Sequence, residues 1–318
     1  KIDSKGFIRS IFSYSKYFNE RTPDIILVSM YMDAVSLIVA RLLSDHKPKI
    51  IINGSAHFSS LIKNSENKVI RFLLKPLAKI FYPLADFFIC QSIGLKNDVE
   101  DVLKLSPLKL STIYNAILEK NVDYSTPKNL SHQWFQASSS NSFKLIIAGR
   151  LDAQKGIVEF IDIFKKLKKN ENIQLLIMGE GDEKQRIEEQ IRINYLDNDV
   201  EIIPFQNNFH AFIERSDLMV VNSFYEGLNN MIVHALATGT SVISRNCPSG
   251  PSEVLEDGKF GRLVALGDDN GMIKMIKDEI RAPAFKKEDL IERSKDFSTE
   301  ACGEAYKKIF QKCVDEIK

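Results

Sequence analysis

The sequence has little to offer in sulfur chemistry. Its four cysteines, Cys90, Cys247, Cys302 and Cys313, are scattered through 318 residues and form no CxxC pair. That spacing argues against a disulfide framework or a cysteine zinc site and favours reduced thiols. Charge of one sign is also lacking: 43 Lys and Arg face 42 Asp and Glu, a net charge of +1. A whole-molecule field for nucleic acid is thereby excluded. No apolar run approaches the roughly 20 residues that a membrane-spanning helix needs. There is no low-complexity tract, no short-period repeat, no Ser-His-Asp arrangement and no His/Cys ligand spacing. The first residues, Lys1-Ile2-Asp3-Ser4, read like the interior of a domain, so the natural N-terminus is expected upstream.

What is present is an alternation of short apolar strands and amphipathic helices, the pattern of parallel α/β sheets. In the first half the pattern predicts helices over 7–20, 32–44, 66–82 and 94–104, and strands at 25–28, 49–52, 87–90 and 112–114. The stretch 119–142 is rich in Ser, Asn, Lys and Gln and reads as a linker. The alternation then restarts. Strands are predicted at 143–148, 174–178, 200–203, 218–221, 241–244 and 261–264. Helices are predicted at 182–193, 207–215, 229–238, 251–255, 285–294 and 299–317, and another along Ile157, Phe160, Ile161, Phe164 and Leu167. The expected domains are 1–120, a linker 121–142, and 143–298, with a C-terminal helix at 299–318 packing back on the first.

Two segments carry chemistry. Gly149-Arg150-Leu151, followed by Lys155-Gly156, lies between a strand and a helix. Ligands bind at that edge of an open α/β sheet, and a helix N-terminus favours phosphate. Arg150 offers a bidentate fork and Lys155 a mobile point charge. Two cations beside a diphosphate leaving group act where charge develops; alone, the spacing equally fits two surface charges. The second segment, Tyr225-Glu226-Gly227-Leu228-Asn229-Asn230, also follows a buried strand. Glu226 can accept from vicinal hydroxyls, Gly227 permits close approach, and the amides of Leu228 and Asn229 open a helix. A turn with a solvated carboxylate and a helix cap would use the same residues.

Taken in order, Ala148-Gly149-Arg150-Leu151-(x)3-Lys155-Gly156, Met178-Gly179-Glu180-Gly181, Tyr225-Glu226-Gly227, Ala235 to Ile243 and Cys247 to Glu253 resemble glycosyltransferase family 4. The resemblance covers about 143–265 and is looser in the first half. It implies a GT-B fold, two Rossmann-like domains facing a cleft, the first lacking its N-terminal strand, with the acceptor on the first domain. It also implies retention of configuration without a metal or other cofactor. Arg150 and Lys155 would hold the donor diphosphate, and Glu226 would contact the transferred sugar or its distal phosphate region. Gly149, Gly227, Leu228 and Asn229 would line the donor site, Phe205 would lie near the base, and His57 would approach the sugar unless its role is structural. The family's second site has two glutamates; here the second position is His234. A neutral imidazole there can bond one hydroxyl, or His234 is a helix residue at the rim.

The implied reaction is transfer of a hexose or N-acetylhexosamine from a UDP-sugar to a surface glycan or lipid-linked acceptor. The alternatives are a degenerate nucleotide-binding module and a GT-B-fold sugar-nucleotide epimerase. No nucleic acid partner is expected. The expected location is cytoplasmic, with peripheral association at the inner membrane face. In 66–82, Lys68, Arg71, Lys75 and Lys79 share one helical face, and Pro76 is expected to kink or split the helix. Two readings of that face stay open: an anionic membrane surface or lipid-pyrophosphate contact, and a solvated domain helix. Asp197-Asn198-Asp199 reads as turn chemistry, and Asp268-Asp269 as a loop.

Overall fold

The computed structural model describes residues 6–29, 31–65, 67–68, 70–119, 122–124, 130, 132–135 and 141–316. Of the expected linker 121–142, residues 121, 125–129, 131 and 136–140 lie outside these, as do 66 and 69 of the basic segment. The chain divides into two compact units, Lys1–Asn115 with Cys302–Lys318, and Ala116–Ala301.

In the first unit, β1 (Ile25–Val28), β2 (Lys49–Gly54), β3 (Phe87–Cys90) and β4 (Leu110–Thr112) form a parallel sheet in the order β1-β2-β3-β4. The helices are α1 (Phe7–Arg21), α2 (Tyr31–Leu43), α3 (Phe58–Asn64), α4 (Lys75–Phe81) and α5 (Ile93–Leu103). Successive strand residues point to opposite faces. Ile50, Ile52, Phe88 and Cys90 therefore pack with Ile38, Phe58, Ala78 and Leu95 of the helices.

The expected helix over 66–82 is broken into three pieces. A π-helical turn at Ile70–Leu74 leads into α4, and a 3-10 turn at Tyr82–Leu84 follows. Pro76 sits in the first turn of α4, where its missing N–H leaves no bond unmade. Helix α3 was not predicted. It follows the Asn53-Gly54-Ser55-Ala56-His57 loop with too few residues to show a period.

In the second unit, β5 (Phe143–Ala148), β6 (Ile173–Met178), β7 (Val200–Ile203), β8 (Leu218–Val221), β9 (Ser241–Asn246) and β10 (Arg262–Ala265) form a parallel sheet in the order β10-β9-β8-β5-β6-β7. Its helices are α6 (Ile157–Lys168), α7 (Lys184–Ile193), α8 (Phe209–Glu214), α9 (Asn230–Thr238), α10 (Pro251–Val254), α11 (Asp269–Arg281) and α12 (Lys287–Ser294). Helix α11 corrects the loop expected at Asp268-Asp269. Asp268 is its N-cap, accepting from Gly271 N at 2.8 Å, and Met272 and Ile276 are fully buried. The strand order reverses direction between β5 and β8, which pair Leu145 with Leu218 and Ile146 with Met219. A crevice at the carboxyl ends of the strands is expected at such a switch point.

The last helix, α13 (Thr299–Asp315), carries Cys302 and Cys313 into a cluster with Ile51, Phe87, Ile89 and Ile113. It covers the sheet face of the first unit that the other helices leave open. Among the described residues, no helix is long and apolar enough to cross a membrane.

Candidate functional site

The loops leaving β5, β8 and β9 meet at the carboxyl edge of the second sheet. Backbone bonds fasten them: Phe224 N to Gln154 O at 2.9 Å, and Glu226 N to Pro248 O at 3.0 Å. Ser249 Oγ donates to Glu226 O at 2.8 Å. Leu151 N donates to Glu180 O at 2.8 Å, which ties in the loop after β6. Gly156 sits at φ +58°, and a Cβ there would lie 2.5 Å from Asn222 O. Only glycine allows the α6 entrance to approach the β8 loop this closely.

Lys155 and Glu226 come together at this edge. Lys155 Nζ lies 2.7 Å from Glu226 Oε1, and the two side chains are 19% and 6% exposed. Asn229 Nδ2 donates to the same oxygen at 2.9 Å. Gln154 Nε2 donates to Tyr225 O at 2.7 Å and lies 3.4 Å from Glu226 Oε2. The carboxylate is thus held by one cation and two amides, and Oε2 keeps capacity for a further donor. Asn229 adopts the left-handed φ of +73° and caps α9, accepting from Ile232 N at 3.3 Å. Leu228 is buried beside it.

Arg150 behaves differently. Its side chain is 75% exposed, and Nη1 lies 3.2 Å from Asp152 Oδ2. Asp152 Oδ1 is buried without a hydrogen-bond partner among the described residues. Burial, and then Asp152, push the Tyr225 hydroxyl above its ordinary range, with Arg150 opposing. Behind the loops, Asn222 Nδ2 donates to Gly156 O at 2.6 Å. Asn222 in turn accepts from Arg245 Nε at 2.8 Å, and Arg245 pairs with Asp269 at 2.5 Å. Gln154, Asn222 and Arg245 were not singled out in the sequence. Only the adjacency of Gln154 to Lys155 pointed to any of them.

His234 lies on α9 in an aromatic cluster. His210 Nε2 and His234 Nδ1 are 3.0 Å apart and share a hydrogen bond. The Tyr124 ring lies 4.6 Å from His210, and the Phe209 ring 4.9 Å from His234. Phe205, partly exposed, packs against Phe209 at 5.1 Å. With Nδ1 engaged, at most one ring nitrogen of His234 remains for a hydroxyl.

Burial pushes His234 from its ordinary 6.5 down to about 4. A histidine whose folded value is depressed favours folding fully above pH 6.5. That contribution is lost as the pH falls from 6.5 towards 4, because the unfolded chain takes the proton first. Urea denaturation of wild type and His234→Asn is the check. Wild type should lose about 3 kcal/mol more than the variant between neutral pH and the low end of that window. Parallel profiles would overturn this.

His57 lies in the first unit, where it caps α3. Its Nδ1 is 3.4 Å from Ser60 N and 3.0 Å from Ser60 Oγ, and Asp98 Oδ2 lies 3.6 Å away. Burial lowers its pKa, with Asp98 opposing. These contacts give His57 a structural duty. Asp199 lies just before β7 and pairs with Lys168 at 2.7 Å. Among the described residues no group of three or more His, Cys, Asp or Glu side chains is placed to hold a metal ion.

Residues 131–297 match the family described as Glycosyl transferases group 1. A 4-alpha-N-acetylgalactosaminyltransferase of Campylobacter jejuni, named for an N-acetylgalactosamine-N,N'-diacetylbacillosaminyl-diphospho-undecaprenol acceptor, is 27% identical over 246 residues, 76% of this chain and 64% of that protein. An uncharacterised glycosyltransferase of Methanocaldococcus jannaschii is 33% identical over 178 residues, 56% of this chain. The match spans 44% of that archaeal protein, so the chain corresponds to only part of either relative. Among solved structures, Anabaena HepE in complex with UDP-glucose superposes with a TM-score of 0.76 at 17% identity, covering 95% of this chain and 82% of that one. The likeness establishes the GT-B fold, with two Rossmann-like domains.

Proposed function

Because the chain belongs to the glycosyl transferases group 1 family, we propose that it transfers a sugar from a nucleotide-sugar donor to a glycan or lipid-linked acceptor. The observation that carries this reading is the Lys155–Glu226 pair at the switch point, with Asn229 and Gln154 on the same carboxylate. Glu226 accepts from hydroxyls of the transferred sugar. Lys155 and Arg150 take the diphosphate, whose negative charge grows as the glycosidic bond breaks. Stabilisation there favours the transition state over the bound donor. The exposed Arg150 swings onto the phosphates, whereas Lys155 reaches them from its place beside Glu226.

The donor is a UDP-hexose or UDP-N-acetylhexosamine, and configuration is retained. Phe205 with Phe209 supplies an aromatic surface for the base, and His234 a single bond to the ribose. UDP-glucose in HepE and the diphospho-undecaprenol acceptor named for the Campylobacter relative support both halves of this reading. Leaving-group charge is assigned to the two side-chain cations rather than to a metal.

A panel of radiolabelled UDP- and GDP-sugars, incubated with the protein and membrane extract, tests the reading. Label should pass from one UDP-sugar into a glycan or lipid fraction, with UDP released. Donor bound but never consumed would point to a nucleotide-binding module. Donor isomerised without acceptor would point to an epimerase.

A further inference from the structure

The helical stretch from Arg71 to Leu84 carries a ridge that the donor site does not use. Burial recurs at every fourth residue along its π-helical, α-helical and 3-10 pieces and sorts it into stripes. Leu74, Ala78 and Tyr82 are buried and hold the segment to the core of the first unit. Half a turn away, Phe72, Pro76, Ile80 and Leu84 face solvent, Phe72 being 67% and Ile80 63% exposed. Along one flank of this ridge run Arg71, Lys75 and Lys79, all exposed, with exposed Lys68 before them. Leu73 is exposed on the other flank. No Asp or Glu occurs from residue 67 to residue 85.

Single exposed apolar side chains are ordinary on a folded protein; a row of them directly opposite the buried stripe is not. The occupant of this ridge must accept apolar side chains and positive charge together. A second copy meets the first requirement but not the second, since pairing the ridges would oppose like charges. We propose that the ridge seats the protein on an anionic lipid surface. Phe72, Leu73, Ile80 and Leu84 enter the boundary between headgroups and acyl chains. Arg71, Lys75 and Lys79 pair with lipid phosphates while their stems lie along the apolar zone. The binding needs neither donor nor acceptor, so it stands or falls apart from the transfer reading.

Sedimentation with vesicles is the test, using phosphatidylcholine alone and an equal mixture with phosphatidylglycerol. Wild type should partition to the anionic vesicles and not to the neutral ones, more weakly as salt is raised. Phe72→Ser/Ile80→Ser should lower that partitioning about tenfold or more. Arg71→Gln/Lys75→Gln/Lys79→Gln should abolish the preference for anionic lipid and its salt dependence. All five side chains are exposed, and thermal melts confirm that both variants fold. Wild type that fails to sediment, or variants that sediment like wild type, would overturn the proposal. So would wild type that self-associates in the ultracentrifuge without binding vesicles and becomes monomeric as Phe72→Ser/Ile80→Ser.

Discussion

Replacing Lys155 with methionine should slow sugar transfer about 10²–10³-fold, the usual cost of removing one preorganised charge or donor from a developing anion. The same change should destabilise the fold. Glu226 is 6% exposed and loses its only cation within 4 Å among the described residues. Asn229 and Gln154 still donate to it, so the cost should sit near the lower end, about 3 kcal/mol, of the range for a buried charge stripped of its partner. Lys155→Met/Glu226→Gln removes the uncompensated charge and should recover most of that stability while remaining inactive. Arg150 provides the contrast. It is 75% exposed, so Arg150→Ala should change stability by less than about 0.5 kcal/mol while still slowing transfer. Denaturant titration and single-turnover release of UDP measure the two effects separately. Lys155→Met with transfer within threefold of wild type would reduce the pair to a structural one.

That division between the two cations was not legible in the sequence, where Arg150 and Lys155 read as equals. Their types and spacing were visible because they lie in one short loop. Their environments depend on Glu226, which folding brings in from another strand. The same reason hid Gln154, Asn222 and Arg245: each acts through a partner distant in sequence, and none belongs to a pattern that marks it. His234 stood out because it replaces a glutamate, but its bond to His210 depends on how α8 and α9 meet.

The elements themselves were read more fully. Strands such as Phe87–Cys90, Val200–Ile203 and Leu218–Val221 lie where the sequence placed them, because a short apolar run has few other homes in a parallel sheet. Helix α11 was missed. Its opening Asp268-Asp269-Asn270-Gly271 is also what a turn would contain, and only the N-cap bond separates the two. The basic segment was read as one helix that Pro76 would kink or split. The structure splits it into a π-helical turn that carries Phe72 and an α-helix that carries Ile80, both exposed.

The backbone around Glu226 gives the second large effect. Gly250 lies at φ +95° and ψ −65°, a region that side chains with a Cβ avoid. A Cβ there would sit 2.3 Å from Leu228 O and 2.6 Å from its carbonyl carbon. Backbone cannot yield as a side-chain tip can, so the 226–229 loop must move. Glu226 N bonds Pro248 O, and Ser249 Oγ bonds Glu226 O, so movement at 250 is carried to the carboxylate. Gly250→Ala should therefore cost about 3 kcal/mol, the upper end for a strained backbone position. On the proposed role of Glu226, displacement of the loop that carries it by about 1 Å should slow transfer about 10²-fold. Gly258→Ala separates strain from displacement. Gly258 also has a positive φ, +103°, but a Cβ there meets nothing within 4 Å. It should lose stability by about 1–2 kcal/mol and keep its transfer rate. Equal loss of activity in the two variants would mean that general destabilisation, not the position of Glu226, controls the rate. Loss confined to Gly250→Ala would tie catalysis to the fit between the β8 and β9 loops.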